Sequence, residues 1–117
     1  NMTSLLCASN TKHVDQTPPY ITKKLGESVT SEIKCSHQIT NYDLILWYKQ
    51  DENKALLLLG YLNLHFVTLE DDMKGKIDLT GDGRKESSLV VSDLKLNDSA
   101  VYFCAARMTQ CCGLFRR

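Results

Sequence analysis

Cys35 and Cys104 stand 69 positions apart, and each lies in a run whose side chains alternate in character. In SVTSEIKC, residues 28 to 35, Val29, Ser31, Ile33 and Cys35 share one face, while Ser28, Thr30, Glu32 and Lys34 share a wet one. In SAVYFCAA, Ala100, Tyr102 and Cys104 share one face and Val101, Phe103 and Ala105 the opposite one. A period of two is the period of a strand, so each cysteine sits on the inward face of one. The spacing excludes a zinc knuckle or a CxxC redox motif for this pair. A structural disulfide is the better reading and implies an oxidising compartment; two buried free thiols beside an ordinary core Trp are the rival. Closing such a loop is worth about 4 kcal/mol in the chain-entropy account.

The rest of the chain follows the same grammar. Residues 11 to 17 read as extended, Pro18-Pro19 interrupts them, and Tyr20 to Leu25 can resume as an edge strand before a turn at Gly26-Glu27. SHQITNYD, residues 36 to 43, is a polar loop. LILWYKQ, residues 44 to 50, is a strand with Ile45 and Trp47 on one face and Leu46, Tyr48 and Gln50 on the other. After the turn DENK, ALLLLGY, residues 55 to 61, is apolar on both faces, so it needs a second surface to pack against. A mixed connection with a short edge strand at Phe66 to Leu69 leads to two strands hinged at Gly81-Asp82-Gly83, and LKLND, residues 94 to 98, reads as one helical turn. Eight or more short strands without an amphipathic helix predict an all-β sandwich or barrel. The preferred form is two antiparallel sheets, with Trp47 packed beside the Cys35–Cys104 bridge.

At 117 residues the chain is one domain. Fourteen basic and fourteen acidic side chains cancel, so overall charge points neither to nucleic acid nor to an anionic membrane. No apolar stretch approaches a membrane span, and the start is not an intact signal peptide, so a secreted protein or an ectodomain without leader and anchor is expected. His13, His37 and His65 are scattered, with no acidic residue spaced to orient one of them. GxSxG, HExxH and phosphate-binding glycine loops are absent from the sequence, and GDGRK is a strand turn without the ligands of a calcium loop. No enzyme, no cofactor and no metal site is expected.

Cys35, Trp47 within WYKQ, and DSAVYFC at residues 98 to 104 together resemble the signature of an immunoglobulin V-set domain. The resemblance runs from about residue 15 to residue 107. LILWYKQ, LLLGYLN, GKIDLTGDGRKESSLVVSDL and NDSAVYFCAAR are similar to the variable domains of fish T-cell receptor beta chains and to the V-type domains of fish novel immune-type receptors. The resemblance implies a V-type β-sandwich, a tyrosine corner at Tyr102, and a pair between Asp98 and a basic residue, of which Lys76 is the one in register. The family more often uses Arg, and a Lys offers no bidentate fork. It further implies that residues 36 to 43, 61 to 67 and 105 to 114 are the three ligand-binding loops, with Gly81 to Lys85 as an additional hypervariable loop. His37, Asn41, Tyr42, Tyr61, Asn63, His65, Arg107 and Met108 are then candidate contacts to a protein or peptide-presenting ligand. The protein it implies is the extracellular part of a plasma-membrane immune receptor.

Strand parity supplies a partner argument of its own. Leu46, Tyr48, Gln50, Leu57, Leu59, Val101 and Phe103 point away from the predicted core and form an apolar, aromatic face around an amide, suited to a protein interface. In the family this face pairs two V-type domains, as a homodimer or heterodimer. The alternative is that several of these leucines are core.

The ends depart from the family pattern. Residues 1 to 14 read as an extension or first strand, and residues 105 to 117 as the third loop with a short stub lacking the Phe-Gly-x-Gly bulge, so the final strand is absent, atypical or supplied by a neighbouring chain. Cys7, Cys111 and Cys112 are extra to the family bridge, and three thiols cannot all pair within one chain. Two glycosylation sequons begin at Asn1 and Asn97.

Overall fold

The computed structural model describes residues 13–109; Asn1, Cys7, Cys111, Cys112 and the whole C-terminal stub lie outside these. Eight strands are described: β1 (Val14–Thr17), β2 (Val29–His37), β3 (Leu44–Gln50), β4 (Leu56–Asn63), β5 (Phe66–Leu69), β6 (Ile77–Asp82), β7 (Glu86–Val91) and β8 (Val101–Arg107). They form two four-stranded sheets in the orders β1-β2-β7-β6 and β5-β4-β3-β8, and every ladder is antiparallel. A 3-10 turn at Leu96–Asp98 leads into β8, as LKLND predicts.

The sheets meet over alternate side chains, as in an aligned sandwich. Ile45, Trp47, Leu59, Leu62, Cys104 and Ala106 of one sheet pack against Val29, Cys35, Ile77, Leu79, Leu89 and Val91 of the other. Cys35 and Cys104 are bonded across this core with their Cα atoms 6.3 Å apart. The Trp47 indole N–H donates to Ser87 Oγ at 3.0 Å, and Ser87 lies opposite Cys35 in the β2–β7 ladder. A fully buried indole therefore has its acceptor beside the disulfide, a partner with no local sequence signal.

Four expectations need correction. Tyr20 to Leu25 forms no strand, because Pro18 and Pro19 lack backbone donors and Tyr20 and Leu25 are left exposed. Leu59, expected on the outer face, is 1% exposed and belongs to the core. A register shift in β4 is responsible: Trp47 pairs with Gly60 but Tyr48 pairs with Leu58, so one extra residue turns Leu59 inward and leaves Leu58 and Leu56 outward. Leu57 falls opposite Lys49, not opposite an outward residue, although it remains exposed at the strand end. Leu46 does face outward, away from the core cluster, yet it is buried between its cross-strand neighbours Tyr61 and Ala105 on an inner strand.

Smaller boundary shifts follow from the same ladders. β2 continues through His37, β4 through Asn63 and β8 through Arg107, so the first two connections are shorter than residues 36 to 43 and 61 to 67, and β8 runs past residue 105, the expected start of the third loop. Gly81 and Asp82 belong to β6, and the turn itself spans Gly83 to Lys85.

Candidate functional site

Antiparallel pairing brings the connections β2–β3, β4–β5 and β6–β7 and the end of β8 to one end of the sandwich. The β2–β3 connection carries Asn41 at φ 71°, and the β4–β5 turn carries Leu64 at φ 56°. Non-glycine residues rarely hold such angles unless their surroundings fix them.

For these connections the fixing is done by hydrogen bonds between loops. Asp43 N–H donates to the Arg107 carbonyl at 3.2 Å, and the Asp43 carbonyl accepts Leu64 N–H at 3.0 Å. Asp43 Oδ1 accepts both Thr109 N–H at 2.8 Å and Thr109 Oγ1–H at 2.6 Å. Gly83 N–H donates to the Leu64 carbonyl at 2.8 Å, and a Cβ on Gly83 would run into the carbonyl oxygens of Asp43 and Leu62. His37 Nε2 lies 2.9 Å from the Gly83 carbonyl while His37 Nδ1 accepts Ile39 N–H at 3.0 Å. Those two contacts engage both ring nitrogens, so the ring is fixed from two sides.

The candidate contact residues therefore divide. Asn41 and His65 are exposed, and Tyr61, Asn63, Arg107 and Met108 are part-buried at the same end. His37 and Tyr42 are corrected: they are 6% and 3% exposed and form the floor under the β2–β3 connection. β2 runs far enough to place His37 under the loop, where both of its ring nitrogens are hydrogen-bonded, and the ring of Tyr42 joins the apolar core cluster. Asp43, Gly83 and Thr109 lie within the loops and turn that the sequence indicates, but their mutual contacts do not show there, since their partners are 19 to 66 positions distant and no short motif encodes the pairing.

One charge pair at this end is internally compensated. Arg84 grips Asp82 through Nε at 3.0 Å and Nη2 at 2.7 Å, and this guanidinium holds the Asp82 carboxyl well below its usual range. His65 reaches the same carboxylate at 3.5 Å. Among the described residues, no group of three or more His, Cys, Asp or Glu side chains is placed to hold a metal ion.

The outer face of β5-β4-β3-β8 is the second candidate surface. Leu56 and Val101 are about half exposed, Tyr48, Gln50, Leu58 and Phe103 are partly exposed, and Phe66 is 74% exposed at its edge. Tyr48 pairs with Phe103 and Gln50 with Val101, so these side chains rise side by side. Burial pushes the Tyr48 phenol upward, partly opposed by the Arg107 charge. The Gln50 amide N–H donates to the Lys54 carbonyl at 3.2 Å within its own hairpin. At the opposite end, Tyr102 Oη donates to the Asp98 carbonyl at 2.7 Å and Lys76 Nζ lies 2.6 Å from Asp98 Oδ2. Asn97 is exposed there.

Known proteins are similar to this chain in sequence and fold. The immunoglobulin V-set domain model matches residues 16–116. Human T cell receptor beta variable 3-1 is 31% identical over 93 residues, covering 80% of this chain and 79% of that protein. The mouse T-cell receptor beta chain V region C5 is 32% identical over 106 residues, covering 90% and 84%. A chain from a solved structure on T cell specificity and activation by the bacterial superantigen toxic shock syndrome toxin-1 aligns with a TM-score of 0.74 at 28% identity, over 83% of this chain and 82% of that one. The chain belongs to the immunoglobulin V-set family and is an immune-receptor variable domain similar to those of T cell receptors.

Proposed function

We propose that this domain is the extracellular recognition unit of a plasma-membrane immune receptor, binding a protein or peptide-presenting ligand through the loops at one end of the sandwich and acting without chemistry. The observation that carries this reading is the hydrogen-bonded loop cluster, which holds exposed Asn41 and His65 and part-buried Tyr61, Asn63, Arg107 and Met108 on one fixed platform. Preorganised loops lose less entropy on binding, and Tyr, Asn and Arg contribute contact at modest ordering cost. Cells displaying the receptor with Asn41, His65 and Arg107 each changed to Ala are expected to bind ligand at least tenfold more weakly. Unchanged binding by all three variants overturns the reading.

The outer face of β5-β4-β3-β8 is the proposed seat of a second V-type domain. Val101, Phe103, Leu56 and Tyr48 form an apolar patch whose burial favours association, and Gln50 retains an amide oxygen for a bond across the pair. Sedimentation velocity of the domain, alone and mixed with a partner V domain, is expected to show a dimer that Phe103→Asp abolishes. A monomer at every concentration in both samples rejects the pairing. An adhesion module that uses this face as its own functional site is the alternative, and it predicts a homodimer whose loops are dispensable for binding.

A further inference from the structure

We propose that Asp43 is the positioning residue of the recognition end, coupling the place where the third loop leaves β8 to the conformations of the other loops. A continuous path of hydrogen bonds runs from Ile39 N–H to His37, from His37 to the Gly83 carbonyl, from Gly83 N–H to the Leu64 carbonyl, and from Leu64 N–H to the Asp43 carbonyl. Asp43 carries it onward in two ways, through its N–H to the Arg107 carbonyl and through Oδ1 to both donors of Thr109. Among the described residues it is the one through which this path reaches the third loop.

Two further observations support coupling over simple anchoring. Leu64 holds φ at 56°, an angle costly for a branched side chain, and its turn is pinned on both sides by Asp43 and Gly83. Gly83 packs so closely on the Asp43 carbonyl that no Cβ fits, which puts the β6–β7 turn in direct backbone contact with Asp43. Carboxylate oxygens accept such paired bonds more strongly than neutral ones, and a segment leaving a sheet is confined most by contacts in its first residues. A ligand that displaces the third loop therefore acts on the β4–β5 and β6–β7 turns as well. The inference rests on the loop-recognition reading for its significance and on hydrogen bonding alone for its geometry.

Residue-resolved amide exchange on Asp43→Ala and Asp43→Asn tests it without a ligand. In Asp43→Ala, Thr109 is expected to exchange at least tenfold faster, and Leu64 and Gly83 several-fold faster although their own acceptors remain in place. The Trp47 and Cys104 amides serve as core references and are expected to change much less. Asp43→Asn keeps an acceptor oxygen and is expected to restore most of the protection. Unchanged Thr109 exchange in Asp43→Ala overturns the assignment, and so does acceleration of Thr109 alone, which leaves Asp43 an anchor without coupling. If Asp43→Ala loses protection throughout, Thr109→Val decides: it removes only the hydroxyl donor and is expected to speed exchange at Leu64 and Gly83, an effect whose absence rejects the coupling. None of these outcomes depends on ligand binding, so failure here is separable from failure of the loop-substitution experiment.

Discussion

Lys76 Nζ and Asp98 Oδ2 meet at 2.6 Å, directly beneath the carbonyl that accepts the Tyr102 hydroxyl. One short 3-10 turn thus joins β6, the β7–β8 connection and the start of β8 through a charge pair and a tyrosine corner. Burial pushes the Asp98 carboxyl up, but the Lys76 ammonium and the Lys95 N–H together outweigh it and hold the carboxyl below its usual range.

A carboxyl depressed in the folded state contributes stability above its unfolded pKa of about 4, and that contribution is lost as pH falls through the folded value. Glu32, held at about 2 by Lys23 and the N–H groups of Thr30 and Ser31, acts in the same direction. Denaturant unfolding is expected to show stability falling from about pH 4 downward. In Lys76→Ala the fall is expected to be shallower, with stability at pH 7 lower by about 2 kcal/mol, the scale of a lost charge-assisted bond. Equal acid slopes in the two proteins contradict the bridge.

Ser87→Ala removes one oxygen and leaves the Trp47 indole N–H buried without an acceptor. An unsatisfied buried donor costs about 1–3 kcal/mol. Thermal unfolding is expected to report that loss with the disulfide intact, as a free-thiol assay verifies.

The register shift in β4 makes neighbouring leucines unequal. Leu59→Ala is expected to cost about 2–5 kcal/mol because it opens a core cavity, whereas Leu57→Ala, at 47% exposure, is expected to cost under about 1 kcal/mol. Urea midpoints of the two variants give the comparison, and similar values contradict the inward placement of Leu59.

Gly83→Ala puts a Cβ onto the carbonyl oxygens of Asp43 and Leu62. Both obstacles are backbone, so the turn has to move, at an expected cost of about 1–3 kcal/mol. Proton chemical shifts of Asp43, Leu64 and Thr109 are expected to change with it while those of Leu89 and Val91 hold.

Alternation was enough to read most of the strands and the inward faces of Ile45, Trp47, Tyr102 and Cys104, because period two is a local property that each strand displays by itself. The positions that sequence misjudged are those where a neighbour overrules parity. Leu59 faces inward because β4 carries one residue more than β3 across from it, and a register shift depends on two strands at once. Leu46 keeps its outward direction but is covered by the strands on either side. His37 and Tyr42 read as polar loop residues but form a floor, since β2 extends beneath the loop, hydrogen bonds satisfy the His37 nitrogens and the Tyr42 ring joins the core cluster.

Asp43, Gly83 and Thr109 belong to a third kind, placed by the sequence in loops and a turn but with no pattern in the chain that shows their contacts. Their significance comes from hydrogen bonds between segments far apart in sequence, and such bonds exist only after the sheets have brought the loops to one end. The sequence by itself determined the sandwich and its core bridge, because burying alternate apolar side chains is the dominant force and is written locally. Tertiary structure alone decided which loop residues are held and which are free, because that depends on where distant donors and acceptors come to lie.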